Sequence, residues 1–212
     1  MDHVNRPETR RAYLETFPPK ISKGDKTKLD IVEATIRMVA SEGLAATCFE
    51  SLARRMKLSR PHLTYHFRSF DELLEAALRF VSNVNQERAI SLLEGEQNPR
   101  KRLQLMIRAS FAWARERPDH LRFRVSCMDA FSHSRRFKAI HTEIVEMSYT
   151  WFETSLSEIP GVSPKLAREG GMTIHSLLQG QLVTYVTTTG AEIGALERQT
   201  LFFVENLLKL AP

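Results

Sequence analysis

The chain has 212 residues, 42% of them hydrophobic and 26% charged, and a formal net charge of +5 at pH 7. Such a length allows one large or two modest domains, and the composition is typical of a soluble globular protein. No apolar run approaches a membrane span or a signal-peptide core, so the sequence predicts neither. The two cysteines, Cys48 and Cys127, lie far apart without metal-ligand spacing, which favours a reducing cytoplasm over a disulfide framework.

The first 26 residues are polar and basic. Residues 7–17 could form a short amphipathic helix, which Pro18 and Pro19 would end. Four lysines lead into the next helix: Lys20, Lys23, Lys26 and Lys28. We interpret residues 1–26 as a basic N-terminal arm, and a solvated tail is the alternative.

Residues 27–42 predict the first long helix, with Gly43 in the position that ends it. One stripe of this helix is expected to face inward: Ile31, Val32, Thr35, Met38 and Val39. The helix should brace the segment that follows.

Residues 47–67 predict two short helices joined by a tight turn. Thr47 with Glu50 three residues later forms a capping-box pattern at the start of the first helix. The apolar stripe of this helix is Phe49, Leu52, Ala53 and Met56. Its opposite face is assigned to Cys48, Ser51, Arg54 and Arg55.

The second short helix follows the turn residues Lys57 and Leu58, with Ser59 as its cap and Pro61 in its first turn. Leu63 and Phe67, four residues apart, should anchor it inward. The helix face opposite these two anchors carries Pro61 and Tyr65, and His62 and Thr64 lie beside it. Arg60 lies at the helix start, from where a long side chain can reach forward.

This two-helix segment carries a local positive charge. Between residues 45 and 68 there are five Lys or Arg and one acid, a balance of 5 − 1 = +4. A polyanionic backbone is a natural partner, because each neutralised phosphate releases counterions. Helix-turn-helix proteins place their second helix in the major groove of DNA. The alternative is an ordinary helical hairpin with a solvated basic face.

Residues 27–80 resemble the N-terminal domain of TetR-family transcriptional regulators. The resemblance rests on these residues: Gly43, Thr47, Leu52-Ala53-Arg54-Arg55, Ser59, Leu63, Tyr65-His66-Phe67, Ser69 and Glu72-Leu73-Leu74. Their spacing is kept without a gap, and residues 27–80 are about a quarter of the chain. The chain differs from the family at Thr64 and Phe70, where Tyr and Lys are usual.

The resemblance implies roles on DNA for individual residues. Arg60, His62 and Thr64 would approach base edges, while Thr47, Tyr65 and His66 would hold phosphates. Pro61 shares the DNA-facing side of the helix, and the arm lysines are candidates for contacts with adjacent DNA.

Ser69 and Glu72 form a second capping-box pattern, which opens a helix over residues 71–93. Because this helix has no internal Gly or Pro, it can act as a rigid lever. A loop over residues 95–99 separates it from the remaining helices, predicted over 100–117, 120–132, 134–159, 163–189 and 193–210. The first of these has apolar residues on nearly every side and is predicted to be buried all round. A kink is expected at Gly170-Gly171.

Catalytic motifs are not visible in the sequence. It has no Gly-rich phosphate loop, HExxH, GxSxG or CxxC. The seven histidines are scattered, so a metal site would have to assemble in space. We predict no metal, no cofactor and no enzymatic activity.

Residues 103–152 are rich in aromatic residues and Met. They form either ordinary core or the wall of a cavity. The cavity hypothesis assigns Trp113, Phe123, Met128, Met147 and Trp151 to the apolar wall, with Ser110, His175 and Gln179 as polar groups. The resemblance implies a small-molecule effector pocket among these middle helices.

The last helix has apolar residues on two sides. Leu201, Val204 and Leu208 lie on one side, and Phe203, Leu207 and Leu210 on the other. The preceding helix offers four apolar residues to a partner: Leu178, Leu182, Tyr185 and Val186. Two such helices from each of two chains would make a four-helix dimer interface, as the resemblance also implies. A fully intramolecular pair is the alternative.

These observations predict an all-α protein with an arm at residues 1–26, a three-helix DNA-binding domain at 27–84 and an effector-binding and dimerisation domain at 85–212. We interpret it as a homodimeric, ligand-responsive DNA-binding regulator without a membrane partner. It would be a repressor, released from a near-palindromic operator on double-stranded DNA by a small apolar or aromatic effector. The alternatives are a regulator controlled by a protein partner and a helical enzyme with an incidental basic hairpin.

Overall fold

A computed structural model describes residues 23–209, and within these residues the chain forms ten helices and no strand. The helices are α1 (Lys23–Glu42), α2 (Phe49–Met56), α3 (Arg60–His66), α4 (Phe70–Leu93), α5 (Pro99–Glu116), α6 (Pro118–Ser126), α7 (Met128–His133), α8 (Arg135–Ser157), α9 (Pro164–Thr187) and α10 (Ile193–Lys209). The all-α prediction is confirmed. None of these helices combines the length and the apolarity that a bilayer crossing needs. The candidate helix at 7–17 and Leu210 lie outside the described residues.

α1 supplies the inner wall of the N-terminal helices. It begins at Lys23, four residues before the predicted start, and Gly43 follows its end with a φ of 85°. Ile31, Val32 and Val39 are fully buried, as the stripe predicted. The one polar member of the stripe, Thr35, donates its hydroxyl to the Ile31 carbonyl at 2.8 Å, which satisfies it inside the core.

The start of α2 lies one residue later than the capping pattern predicted. Cys48, not Thr47, is the N-cap, and its amide donates to Ser51 Oγ at 2.9 Å. Thr47 is buried, and its hydroxyl donates to the Gly43 carbonyl at 2.9 Å. The predicted pair of Thr47 with Glu50 is therefore wrong, because Thr47 instead satisfies a carbonyl left open at the end of α1. Ser51 is correspondingly buried, although it was assigned to the outer face.

The start of α3 and its inward face agree with the sequence. Ser59 Oγ accepts the His62 amide at 3.3 Å, and Leu63 and Phe67 are buried. Lys57 adopts the left-handed conformation at φ 56°, which turns the chain between α2 and α3.

α4 is one uninterrupted helix that packs against both α1 and α5. Ser69 caps it by accepting the Glu72 amide at 3.1 Å. The Glu72 carboxylate accepts the Arg68 amide at 2.9 Å, one residue earlier than a reciprocal box requires. The predicted second capping box is thus confirmed in one of its two bonds.

Two predictions for the middle helices are wrong. The helix predicted over 120–132 breaks at the buried Cys127 into α6 and α7. α5 is not buried all round, because Arg108 and Arg115 are exposed on it. Both pair with Glu197 of α10, at 3.2 and 2.7 Å, so this side of α5 makes polar contacts with the last helix.

The glycine pair lies inside one continuous helix, α9, where the kink expected from the sequence stays a prediction, and Gly171 serves close packing. A Cβ at Gly171 would lie 2.9 Å from the backbone nitrogen of Glu153 in α8. α8 and α9 can approach so closely only because this position lacks a side chain.

α10 divides its apolar residues between the core and the surface. Leu201, Val204 and Leu208 are buried, whereas Phe202 and Phe203 are 68% and 41% exposed. In α9, Leu178 and Leu182 are buried within the chain, so the prediction that they are offered to a partner is wrong. The outer side of α9 instead exposes Met172, Ser176 and Gly180, spaced four residues apart.

Candidate DNA-binding surface and ligand cavity

α3 projects the predicted DNA-contacting residues outward. Arg60, Pro61, His62, Thr64 and Tyr65 are exposed, and His66 is half-buried. Tyr65 is 86% exposed, which is unusual for a large aromatic side chain, and its ring contacts His66 edge-on with centroids 5.1 Å apart. Thr47 is the exception among the predicted residues, because its hydroxyl is buried and already engaged.

Among residues 23–209, the basic side chains around α3 form only exposed ion pairs with carboxylates, or none. Arg60 Nη1 lies 2.6 Å from Glu50 Oε1, and Arg55 pairs with Glu42. These are exposed ion pairs, which are weak in water and can exchange for a phosphate contact. Further basic residues have no carboxylate within ion-pair distance among residues 23–209: Arg54, Lys57 and Arg68.

His66 is neutral on this surface near pH 7. Partial burial, followed by the charges of His62 and Lys28, lowers its pKa from 6.5. Its ring centroid lies 5.4 Å from that of His62. A phosphate placed beside the His66 ring would favour its protonated form, because the phosphate is negatively charged.

A cavity of about 90 Å³ lies among α4, α5, α6, α8 and α9. Five of the residues predicted to bind an effector line it: Ser110, Met147, Trp151, His175 and Gln179. Its wall is mixed, with Ile144 and Phe152 beside the aromatic ring of Trp151 and several amide and hydroxyl groups. This is the composition expected of a small-molecule site.

Three residues predicted for the cavity lie elsewhere. Trp113 and Phe123 are 1% and 0% exposed in the core and do not line the cavity. Met128 is 42% exposed at the start of α7. Met128 follows the break at Cys127, so it does not lie on one continuous helix with residues 120–126 as predicted.

Sequence reasoning missed five polar residues of the cavity wall: Ser82, Asn85, Gln86, Arg124 and Ser148. Arg124 Nη2 donates to Gln179 Oε1 at 2.9 Å, and its guanidinium lies 5.7 Å from the centroid of Trp113. Asn85 Oδ1 is buried and has no hydrogen-bond partner among the described residues. The sequence offered one signal for Arg124, its position directly after the apolar Phe123. A basic residue on an exposed helix face gives the same pattern, so the signal does not identify a cavity residue.

His175 contributes a neutral ring to the cavity. Its Nδ1 lies 2.8 Å from Ser148 Oγ, and Tyr149 contacts it edge-on with ring centroids 4.9 Å apart. Burial, followed by the charges of Arg124 and His141, lowers its pKa to about 4. Within residues 23–209, His, Cys, Asp and Glu side chains form no group of three suited to a metal ion.

A second buried histidine, His120, lies against Phe80 and Trp113 with ring centroids 5.8 and 6.4 Å away. Arg117 donates to its Nε2, so the ring proton of the neutral form sits on Nδ1. Burial, followed by the Arg117 charge, lowers the pKa of His120 to about 4, although nearby Asp119 opposes this.

We expect stability to fall as the pH is lowered from 7 to 5. Both histidines have folded-state pKa values near 4, below the reference value of 6.5, so the unfolded chain binds more protons. The stability that these two neutral histidines contribute to the folded chain is fully present above pH 6.5 and is lost as the pH falls toward 4. Each histidine should lower the free energy of unfolding at pH 5 by about 2 kcal/mol relative to pH 7. Urea unfolding at the two pH values measures this difference.

Matched variants assign this pH effect. Replacing His120 and His175 together by Gln should reduce the pH dependence more than either single replacement does. A parent chain equally stable at pH 5 and 7 would show that these rings are not buried as neutral groups.

Sequence comparison places the N-terminal helices in a known family. A sequence model of the family described as "Bacterial regulatory proteins, tetR family" matches residues 31–77, which span most of α1, all of α2 and α3, and the first part of α4. The HTH-type transcriptional regulator BetI of Burkholderia ambifaria is 29% identical over 98 residues, which are 44% of this chain and 48% of the relative. The chain therefore spans about half the length of the curated relatives it matches.

Structural comparison extends to most of the chain. A transcriptional regulator from Saccharomonospora viridis in complex with choline has a TM-score of 0.76 at 17% identity, covering 85% of this chain and 96% of the other. A TetR-family regulator from Rhodococcus sp. also has a TM-score of 0.76, at 13% identity, covering 86% and 99%. At such identities the likeness shows a shared fold. Residues 31–77 therefore match the helix-turn-helix domain of the TetR family of transcriptional regulators, and the chain as a whole shares the all-α fold of the solved regulators.

Proposed function

We propose that this protein is a homodimeric repressor that binds a near-palindromic operator and releases it when a small molecule enters the cavity. The observation that carries the proposal is the position of α4. This helix supplies Leu73, Leu74 and Ala77 to the buried core beside the helix-turn-helix. Further along, it supplies Ser82 and Asn85 to the cavity wall.

The DNA-binding part rests on α3. Its exposed residues and the surrounding unpaired basic side chains suit a helix placed in the major groove, with Arg60, His62 and Thr64 near base edges. Tyr65 and His66 would hold phosphates. The Thr47 hydroxyl is buried, so we leave it out of the phosphate contacts.

Two connections can carry a change from the cavity to α3. α4 crosses from the cavity to the helix-turn-helix as one helix, and α6, which brings Arg124 to the cavity, packs on α1. A ligand that binds one arrangement of these helices better than the other shifts the spacing of the two α3 helices in a dimer. A 100-fold loss of DNA affinity needs about 2.7 kcal/mol of such coupling.

The dimer is proposed to form through the outer sides of α9 and α10. Phe202, Phe203 and Met172 are exposed there, and large exposed apolar side chains are typical of an interaction surface. The small residues Ser176 and Gly180 would let a partner helix approach closely. Two-fold symmetry would place the α3 helices about 34–36 Å apart, or at a multiple of that distance, on successive major grooves.

Two substitutions on α3 test the DNA-binding part. Arg60→Ala should cost about 1–3 kcal/mol and relax the preference at one base pair, because a base contact carries sequence information. Tyr65→Phe should weaken binding to all sequences about equally, because a phosphate contact carries none. Binding of each variant to a set of single-base operator variants, measured by fluorescence anisotropy, separates the two effects. An Arg60→Ala variant with parental sequence preference would contradict the assignment.

A further inference from the structure

We propose that the effector is a small organic anion, a carboxylate whose charged group pairs with Arg124 and whose apolar part lies against Trp151. This rests on the proposed function, since it names the ligand class of the same cavity. It also refines the apolar or aromatic effector that the sequence predicted.

The main argument is a positive charge without a counter-charge. Arg124 is largely covered by its neighbours, and its one side-chain hydrogen bond among the described residues goes to the neutral amide of Gln179. Within residues 23–209 no carboxylate lies within ion-pair distance of it. A guanidinium has five donors, and withdrawing it from water is costly unless an anion compensates. A bound carboxylate would supply that anion, with two oxygens that fit the guanidinium fork.

The rest of the cavity wall adds no negative charge. Its polar residues are neutral amides, hydroxyls and the His175 ring, and none of its residues is Asp or Glu. Burial lowers the pKa of Arg124 to about 10, which still leaves the guanidinium charged at pH 7. His175 and His141 have lowered pKa values partly because of this charge. The formal charge of the residues that line the cavity is therefore positive, which favours anions over ammonium groups.

The apolar and hydrogen-bonding groups define the remainder of the ligand. Trp151, Ile144, Met147 and Phe152 form a wall for a ring or short chain. The buried Asn85 Oδ1 has no partner among the described residues, so a ligand hydroxyl or amide N–H placed beside it would satisfy it.

Choline, seen in the regulator from Saccharomonospora viridis, is the opposite chemical class. Quaternary ammonium groups are bound by aromatic faces and acidic side chains. In this cavity an ammonium on Trp151 would share the space with the unpaired charge of Arg124. A comparison of choline with a carboxylate therefore tests directly whether the cavity prefers a cation or an anion.

The experiment compares probes that differ only in charge. The full-length protein is titrated with butanoate, hexanoate, phenylacetate and 3-phenylpropanoate, with the primary amide of each, and with choline. Tryptophan fluorescence is the readout, because Trp151 lines the cavity and Trp113 lies beneath Arg124. At least one carboxylate should bind about tenfold or more tightly than its amide, and choline should bind more weakly than that carboxylate.

Variants assign the effect to one side chain. Arg124→Met keeps the length and apolar bulk and should lose about tenfold or more of the carboxylate affinity, while Arg124→Lys should lose less. Arg122→Met, at an exposed site on the same helix, should bind as the parent does. Thermal unfolding and promoter-DNA binding of Arg124→Met check that it is folded.

Three outcomes overturn the inference: every carboxylate binds no better than its amide, choline binds as tightly as the best carboxylate, or a folded Arg124→Met retains parental affinity. DNA binding is measured separately without any probe. Selective carboxylate binding through Arg124 without DNA binding would uphold the ligand class and refute the proposed function. DNA binding together with any of the three outcomes would refute the ligand class and leave the DNA-binding part of the proposed function standing.

Discussion

Replacing Phe202 and Phe203 together by Glu should convert a dimer into a monomer and weaken operator binding by about 100-fold or more. The two rings are 68% and 41% exposed on α10, and in the proposed dimer they would be covered by the second chain. Burying two carboxylates there without partners costs several kcal/mol, more than an interface of this kind can spare. A monomer presents one α3 helix and loses the gain in effective concentration that a second one provides.

Light scattering gives the mass, and anisotropy with labelled operator gives the affinity. The matched control is Thr142→Glu with Thr150→Glu, which adds the same charge at exposed positions of α8. If the Phe variant stays dimeric, or if the parent is already a monomer at micromolar concentration, the interface has been misplaced.

Gly171→Ala should destabilise the chain by about 1–3 kcal/mol, a typical cost of overpacking. The new Cβ would lie 2.9 Å from the Glu153 nitrogen and 3.2 Å from the Tyr149 carbonyl oxygen. Both are backbone atoms of α8, so α8 and α9 would have to separate. Because both helices line the cavity, ligand binding should weaken as well.

Alanine substitutions at two other glycines serve as controls, with the free energy of unfolding measured in urea. A Cβ at Gly170 would meet Leu156 Cδ1 at 3.0 Å, and this side-chain atom can move, so Gly170→Ala should cost less. Gly194→Ala on α10 would make only an ordinary 3.6 Å contact with Arg198 and should be neutral or stabilising by up to about 1 kcal/mol. A Gly171→Ala chain as stable as Gly194→Ala would refute the close packing of α8 on α9.

The helix-turn-helix was predictable because its signals are local. Ser59, Leu63 and Phe67 fix the start and the inward face of α3 within nine residues, and the structure agrees. The error at Thr47 arose because two neighbouring residues can both serve as a cap. The choice of Cys48 depends on the Gly43 carbonyl, which takes the Thr47 hydroxyl.

The cavity was predictable only in part, because several helices build it. Periodicity shows that Trp113 and Trp151 are both apolar positions of helices, but it does not show which of them borders empty space. Arg124 was missed for the same reason, since its covered position appears only when α6 packs beside Gln179 of α9. The break at Cys127 carries no Gly or Pro that would reveal it in the sequence.

The most direct test is binding of the purified chain to a labelled duplex from its own promoter region at increasing salt concentration. We predict that log affinity falls linearly with log salt, by a factor of about 10³ or more between 50 and 200 mM if six or more phosphates are contacted. An unrelated duplex of equal length should bind more weakly throughout. Absent or salt-insensitive binding, or equal binding of the two duplexes, would contradict the account.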